Sequence, residues 1–302
     1  MKQIILLILV LFISCKEEKK EPIPLEMPIQ EVEIHHARGF SIEKSSSGLT
    51  IIKITSPWPD SEATFTYALI PKNKMAAMTL NKHEYDAIVG VPVEQLVVTS
   101  TTHIPALEAL DVLDKLVGFP DTEYISSKAA RKRIDAGIIK ELGNNESINT
   151  EMVIELNPEV VVGFGIDNQN KAYETIQRSN IPVVYNGDWT EKTPLGKAEW
   201  IKFFAPFFQK EETANRIFNE IEEAYSEAKT LAKKAEQRPT VLSGALYKDV
   251  WYLPGGNSWA AQFLDDANVE YLWKETQETG SLSLSMESVL SKGQKADFWI
   301  SP

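Results

Sequence analysis

The chain has 302 residues, 43% of them hydrophobic and 25% charged, a balance that suits one or two folded domains with ample material for a core. A formal net charge of −12 argues against a nucleic-acid partner, because phosphate binding needs an extended basic surface and the one basic cluster, at residues 128–133, is short. The single cysteine, Cys15, excludes an intramolecular disulfide and a thiolate metal cluster.

Met1 and Lys2 give the N-terminus a positive start, residues 4–13 form an apolar run, and Ser14 and Cys15 follow at once. The run is shorter than the roughly 20 residues that span a bilayer. A small residue and a cysteine at the end of such a run resemble a bacterial lipoprotein signal, in which the cysteine becomes the acylated first residue of the mature chain. Phe12 stands where that pattern carries Leu, and a plain signal peptide is the alternative. On this reading residues 1–15 are a lipoprotein signal peptide with Cys15 as the lipidation site. Residues 16–37, charged, Pro-containing and aperiodic, are a flexible tether. The folded body is then expected outside the cytoplasm, in the cell envelope, lipid-anchored to a bacterial membrane.

Short β-branched and aromatic runs at 40–43, 49–54 and 64–70, separated by Ser-Ser-Ser-Gly and Pro-Trp-Pro-Asp, predict a β-meander or hairpin at an edge. His35 and His36 at its border would point to opposite faces of a strand and read as surface histidines, not as a metal pair. From Val93 onward strands alternate with helices. A strand at 95–98 leads through a polar loop at 99–103 to a helix at 105–116, with Leu107, Leu110, Leu113 and Leu116 on its buried face. The next strand begins at 117, and residues 138–142 lead to Gly143. A capped helix at 149–156, a Pro158 stop and a strand at 160–162 follow, then a helix at 171–179 and a strand at 181–185.

Residues 210–237 lack Gly and Pro, and Ala214, Ile217, Phe218, Ile221, Ala224, Tyr225, Ala228, Leu231, Ala232 and Ala235 recur at steps of three and four. That predicts one amphipathic helix of roughly 40 Å, long enough to join two bodies. Strands at 240–242 and 296–300 and helices at 259–266 and 286–290 resume the alternation. The fold class is therefore α/β with parallel sheets. The expected organisation is an N-terminal α/β lobe at 38–209 with an added β-rich segment, a bridging helix at 210–237, and a C-terminal α/β lobe at 238–302.

Three stretches carry a family resemblance. The run ESINTEMVIELNPEVVVGFG at 146–165 resembles the helix and strand of periplasmic cobalamin, siderophore and heme binding proteins, with Asn149, Thr150, Glu151, Leu156, Asn157, Pro158 and Glu159 in the motif positions. QLVVTSTTHIPALEALDVLDKLVGF at 95–119 resembles that family's first unit, and LPGGNSWAAQFLDDANVEYLW at 253–273 its second-lobe motif. The likeness covers most of residues 93–302. It implies two Rossmann-like lobes with parallel central sheets joined by a single long rigid helix, a monomer without cofactor, and a ligand held in the cleft. That ligand would be a metal chelate (a ferric siderophore, heme or cobalamin) delivered to the permease of an ABC importer. In that family several dozen residues follow the strand matching 296–300, so the second lobe is expected to be truncated, with an unpaired edge. The resemblance also places permease-docking glutamates at Glu151 and Glu287. Both stand at helix starts, where the dipole alone favours an acid. Docking through such exposed charges sets orientation and association rate more than affinity.

In an open parallel sheet the ligand lies beyond the carboxyl ends of the strands, which selects the loops at 99–103, 124–127, 164–167, 186–189, 247–252 and 257–259. Thr99, Ser100, Thr101 and Thr102 are candidate hydrogen-bonding groups or helix caps. His103 is a candidate ligand-binding or structural histidine. Tyr124, Phe164, Trp189, Tyr247, Trp251, Tyr252 and Trp259 offer flat surfaces for a bulky, partly apolar ligand, or packing for the lobe interiors. The basic run Lys128, Arg131, Lys132 and Arg133 is an attractor for an anionic chelate or a solvated face. No nucleophile elbow or phosphate loop is present, and an enzyme is not expected. The alternatives are a binding protein for bare zinc or manganese ions, which needs more converging ligands than four histidines readily give, and a surface-capture lipoprotein that does not transport.

Overall fold

The computed structural model describes residues 29–300 except 146 and 168, so the expectations for the signal peptide at 1–15 and for the tether over 16–28 lie outside the described residues. The chain opens with a five-stranded sheet, β1 (Ile29–Val32), β2 (Phe40–Ser45), β3 (Thr50–Thr55), β4 (Thr64–Pro71) and β5 (Ala87–Val91), in that spatial order. The first four run antiparallel and β5 lies parallel to β4. Alternation divides its side chains. Phe40, Ile42, Ile52, Ile54, Tyr67 and Leu69 enter the main core, while Ala68 and Ile70 join Leu49 on the opposite face. The expected tether at 16–37 is corrected over its last residues. Ile29–Val32 pairs with β2, because an edge strand offers unpaired N–H and C=O groups to an adjacent extended segment.

The first α/β lobe follows as β6 (Leu96–Val98), α1 (His103–Ala109), β7 (Leu116–Phe119), α2 (Lys128–Asp135), β8 (Lys140–Glu141), the hairpin β9 (Gly143–Asn144) and β10 (Ser147–Ile148), α3 (Thr150–Leu156), β11 (Val160–Gly163), α4 (Lys171–Arg178), β12 (Val183–Tyr185), α5 (Pro194–Glu199) and α6 (Ile201–Phe208). Its sheet, in the order β12-β11-β6-β7-β8, is parallel throughout. Leu96, Val98 and Val162 face the core shared with the first sheet. Val97 and Val161 face a second core that contains Val153, Tyr173 and Ile176. Both faces are covered, which is why these strands read as unbroken apolar runs.

Helix α1 is shorter than expected. It stops at Ala109, Asp111 takes a left-handed φ of 56°, and Leu113 and Leu116 belong to a 3-10 turn and to β7. Helix α6 has no counterpart in the sequence expectations. Every one of its residues is buried, and with Lys202 its one polar residue the apolar side chains surround the helix and leave no periodic stripe to read.

Helix α7 (Glu211–Ala232) is the long connector. It ends before residue 237 because the chain turns at Lys233, where the Asn268 side chain donates to the Ala232 carbonyl at 3.1 Å. Ala214 and Phe218 are buried, but Ile221 is 40% and Leu231 69% exposed, so the apolar stripe is filled mainly at its N-terminal half. The other half holds the second lobe largely through polar contacts. The Tyr225 hydroxyl donates to Asp266 at 2.7 Å, and Lys229 pairs with the same carboxylate at 2.7 Å.

That lobe comprises β13 (Thr240–Ser243), β14 (Ala245–Tyr247), β15 (Val250–Pro254), α8 (Trp259–Asp266), β16 (Glu270–Tyr271), β17 (Ser281–Leu284), α9 (Met286–Gly293) and β18 (Phe298–Ile300). It has its own core around Val241, Trp251, Leu264, Tyr271 and Val289. A parallel sheet β16-β13-β18 lies beside an antiparallel sheet β14-β15-β17. The fold is thus mixed α/β, two lobes with parallel sheets and a helix between them.

Two buried glutamates bind the first sheet to the lobe. Glu199 accepts backbone N–H groups from His35 at 3.0 Å, His36 at 2.7 Å and Ala37 at 2.9 Å, and the Lys202 ammonium at 2.8 Å. One oxygen of Glu191 accepts N–H groups from Arg38 at 2.7 Å, Gly39 at 3.0 Å and the Trp200 indole at 3.0 Å. Burial works to raise the Glu199 carboxyl, but Lys202 and the three amides outweigh it and hold it below the ordinary carboxylate range.

Candidate functional site

Parallel strands direct their carboxyl ends toward one edge of the first lobe, where Tyr124 and Phe164 follow β7 and β11, whereas on the second lobe the exposed aromatic groups stand on the antiparallel hairpin of β14 and β15 and at the start of α8. Tyr124, after β7, is 68% exposed, and Tyr247, at the end of β14, is 65% exposed. The Tyr124 phenol is held above its usual value, first by the charge of Glu123, then by partial burial and Asp121, and also by Tyr247. Tyr252 in β15 and Trp259 at the start of α8 are exposed on the second lobe, and Phe164 after β11 is half-buried on the first. The lobes also touch through Lys197 of α5. Its ammonium donates to the Asp188 carbonyl at 3.0 Å and lies 5.5 Å from the centroid of the Trp259 ring. Burial pushes this lysine below its usual value, with Asp188 and Glu191 opposing.

Several expected ligand groups are engaged elsewhere. Thr99 is fully buried. Its hydroxyl contacts the Tyr173 hydroxyl at 3.0 Å and accepts the Phe164 N–H at 3.1 Å, so it positions the loop after β11 and does not line the cleft. His103 is also fully buried, edge-on to Phe204, and its ring nitrogens make no hydrogen bond among the described residues. Burial lowers its pKa, with Asp188 and Asn186 opposing. A ligand in the cleft cannot reach it. Trp251 corrects a third expectation. Residues 247–252 form the hairpin of β14 and β15, so alternation turns Trp251 inward, where its indole donates to the Ser243 carbonyl at 3.1 Å, and Tyr252 outward.

Ser100, Thr101 and Thr102 remain at the surface. The Ser100 and Thr102 hydroxyls lie 2.8 Å apart, and Thr102 donates to Asp188 at 3.0 Å. Thr102 makes no side-chain cap to α1. Glu151 and Glu287 are exposed in the first turns of α3 and α9. The caps themselves are Asn149 and Ser285, which accept the Met152 and Ser288 N–H groups. The two acids are therefore not needed as caps. Glu287 is held below its usual value by its own backbone N–H and the Ser285 hydroxyl. Among the described residues no three His, Cys, Asp or Glu side chains converge as a metal site.

A cavity of about 760 Å³ opens between the lobes, where the first sheet, the first lobe and the second lobe meet. Trp58 and Trp189 line it together with charged groups of both signs, Arg38 and Lys192 with Asp60 and Glu191, and Thr279 and Gly280 of the second lobe complete the lining. Of these, only Trp189 is among the candidates read from the sequence. A tryptophan between Pro57 and Pro59 reads there as turn punctuation, although a bulky ring in a stiff turn is itself a binding signal.

Residues 96–301 match the family model described as periplasmic binding protein, about two-thirds of the chain. The chain belongs to the periplasmic binding protein family. An uncharacterized lipoprotein of Methanocaldococcus jannaschii, MJ0878, is 27% identical over 224 residues, which cover 71% of this chain and 53% of the relative. A second protein of the same organism, MJ0642, is 26% identical over 54% of this chain and 50% of its own length. The chain spans about half the length of these curated relatives. Among solved structures, the periplasmic heme binding protein HutB of Vibrio cholerae superposes with a TM-score of 0.56 at 17% identity, over 69% of this chain and 76% of that one. The vitamin B12 binding protein BtuF of the same organism gives 0.54 at 15%, over 70% and 76%. At these identities the structural likeness establishes the periplasmic binding protein fold.

Proposed function

We propose that this family member is the extracytoplasmic solute-binding component of an ABC importer. It captures a metal chelate, such as a ferric siderophore, heme or a corrinoid, between its lobes and delivers it to the permease. The observation that carries this is the supply of solvent-accessible aromatic side chains on both lobes, Tyr124 and Phe164 on one and Tyr247, Tyr252 and Trp259 on the other, with a long helix connecting the two. Flat rings bury much area with few rotamers to freeze, which suits a bulky and partly apolar ligand. The likenesses to heme and vitamin B12 binding proteins support that ligand class. The family binds and transports, so no reaction is assigned to the chain.

Glu151 and Glu287 are the docking groups for the permease, one on each lobe, and Cys15 is the lipid attachment point that keeps the body at the membrane. An α-helix between lobes resists the large hinge bending that flexible linkers allow, so closure on ligand is small. The test is a titration of intrinsic tryptophan fluorescence with ferric siderophores, hemin and cobalamin, followed by calorimetry on any compound that quenches. Saturable binding of one chelate supports the assignment. A folded protein that binds none of them removes it.

A further inference from the structure

We propose that the lobes swivel about the middle of α7, between Glu222 and Tyr225, and that the contact of Lys197 with Trp259 is the latch that holds them together before any ligand binds. The inference concerns how the proposed binding body opens and so rests on that reading, but its test needs no ligand.

The connector is shared between two bodies. The first sheet, which precedes the family-matched residues 96–301, grips its N-terminal half. Lys44 of β2 pairs with Glu211 at the start of α7, and the His36 ring, in the segment leading into β2, contacts Glu222 three turns later. Ala214 and Phe218, between those two ties, are buried in the main core. The C-terminal half belongs to the second lobe. Asp266, the last residue of α8, accepts the Tyr225 hydroxyl at 2.7 Å and the Gln262 amide at 2.9 Å, and pairs with Lys229 at 2.7 Å. Burial works to raise this carboxyl, but Lys229, Tyr225 and Gln262 outweigh it and hold it below the usual carboxylate range. Glu223 and Ala224, between the two grips, are exposed. Bending an unpacked turn breaks no tertiary contact, so the motion falls there.

The latch stands at the other end of α8, where α5 of the first lobe packs on it. The Lys197 ammonium donates to the Asp188 carbonyl at 3.0 Å and lies 5.5 Å from the Trp259 centroid, within cation–π reach. Asp188 is itself fixed, accepting the Thr102 hydroxyl at 3.0 Å and donating its N–H to Asn186 at 2.9 Å, so the first lobe holds the cation and the second offers the ring. The nearby carboxylates are engaged elsewhere, Asp188 by Thr102 and Glu191 by the N–H groups of Arg38, Gly39 and Trp200. Helix α8 sets the lever, since seven residue steps put Trp259 about 10 Å from the Asp266 grip. A rotation of about 10° across that lever carries the ring about 2 Å, enough to take it beyond the roughly 6 Å at which a cation and a ring attract.

The test is a spin-label distance measurement on the full chain without ligand. Cys15→Ser removes the native thiol, and Gln177→Cys on α4 and Lys295→Cys after α9, both exposed, carry the labels. Lys197→Met should raise the displaced-lobe population about fivefold, to at least about 5% of the distribution. Lys197→Arg, which keeps a cation over the ring, should return it to the wild-type level. Glu223→Gly with Ala224→Gly, added to Lys197→Met, should broaden that population further. Circular dichroism checks each fold, and Lys197→Gln replaces the methionine variant if that one does not fold. A Lys197→Met distribution that superposes on the wild type, or an arginine variant that behaves as methionine does, overturns the latch. A glycine pair without effect overturns the pivot. Failure to bind any chelate would leave these distances unchanged and would bear on the ligand assignment alone.

Discussion

Replacing Glu199 by alanine tests whether the first sheet is held by buried charge. The carboxylate is fully buried and accepts four donors, three amides of residues 35–37 and the Lys202 ammonium. Hydrogen bonds to a charged group are worth about 1.5–3 kcal/mol each, but they share one acceptor and do not add. Removing one partner of a buried pair costs about 3–5 kcal/mol, because the other charge is left without compensation. Lys202 keeps two weaker contacts, the Glu33 carbonyl at 3.3 Å and the Phe218 ring at 4.6 Å, so about 4 kcal/mol is expected. For a body of this size that is a fall in Tm of about 8–16 °C. The measurement is calorimetric unfolding, with limited proteolysis to report early release of residues 29–45. Glu199→Ala combined with Lys202→Met should recover about half of the loss, since no buried charge is then orphaned. The carboxyl is held below its ordinary value of 4.5, so its stabilisation is complete above that pH and is lost as pH falls through the lowered folded value. The acid side of the wild-type stability curve should therefore be steeper than that of Glu199→Gln. A Tm change under about 3 °C for Glu199→Ala would refute the reasoning.

Three further outcomes are expected. Glu151→Ala with Glu287→Ala should leave chelate binding and Tm within about 0.5 kcal/mol of wild type while abolishing importer-dependent uptake; normal uptake would remove the docking assignment. Thr99→Val leaves the Phe164 N–H without its acceptor, while the Tyr173 hydroxyl keeps its bond to the Phe164 carbonyl, and should cost about 1–3 kcal/mol in denaturant unfolding, together with weaker chelate binding as the loop after β11 loosens. Burial lowers the pKa of His103 from 6.5, so the folded state resists a proton that the unfolded chain accepts. Stability is full above pH 6.5 and falls as pH drops through that value toward the lowered one. His103→Leu should flatten this part of a pH series of melting curves, and an unchanged slope would exclude His103 as its source.

Much of the architecture was legible in the chain itself. The strand and helix alternation from residue 93 onward, the Asn149 cap with its Pro158 stop, and the helix at 259–266 depend on local periodicity and capping, and they form where those signals stand. The long helix was legible in kind but not in length, because its end is set by Asn268, which lies far along the chain from Ala232. Helix α6 was illegible for the opposite reason, since burial on all sides erases the pattern that marks a helix.

The site divides in the same way. Sequence could name the loops that leave strands, because the geometry of a parallel sheet fixes where they gather. It could not say which side chains on them face outward. Thr99, His103 and Trp251 sit in such loops or beside them, and packing against Tyr173, Phe204 and the Ser243 carbonyl turns them inward. The cavity with Arg38, Trp58 and Lys192 exists only because Glu191 and Glu199 reach back more than 150 residues to hold residues 35–39 in place. Periodicity and caps are properties of neighbours in the chain and can be read there. A pocket made by distant segments is decided by which buried charges find partners, and that is settled only when the chain has folded.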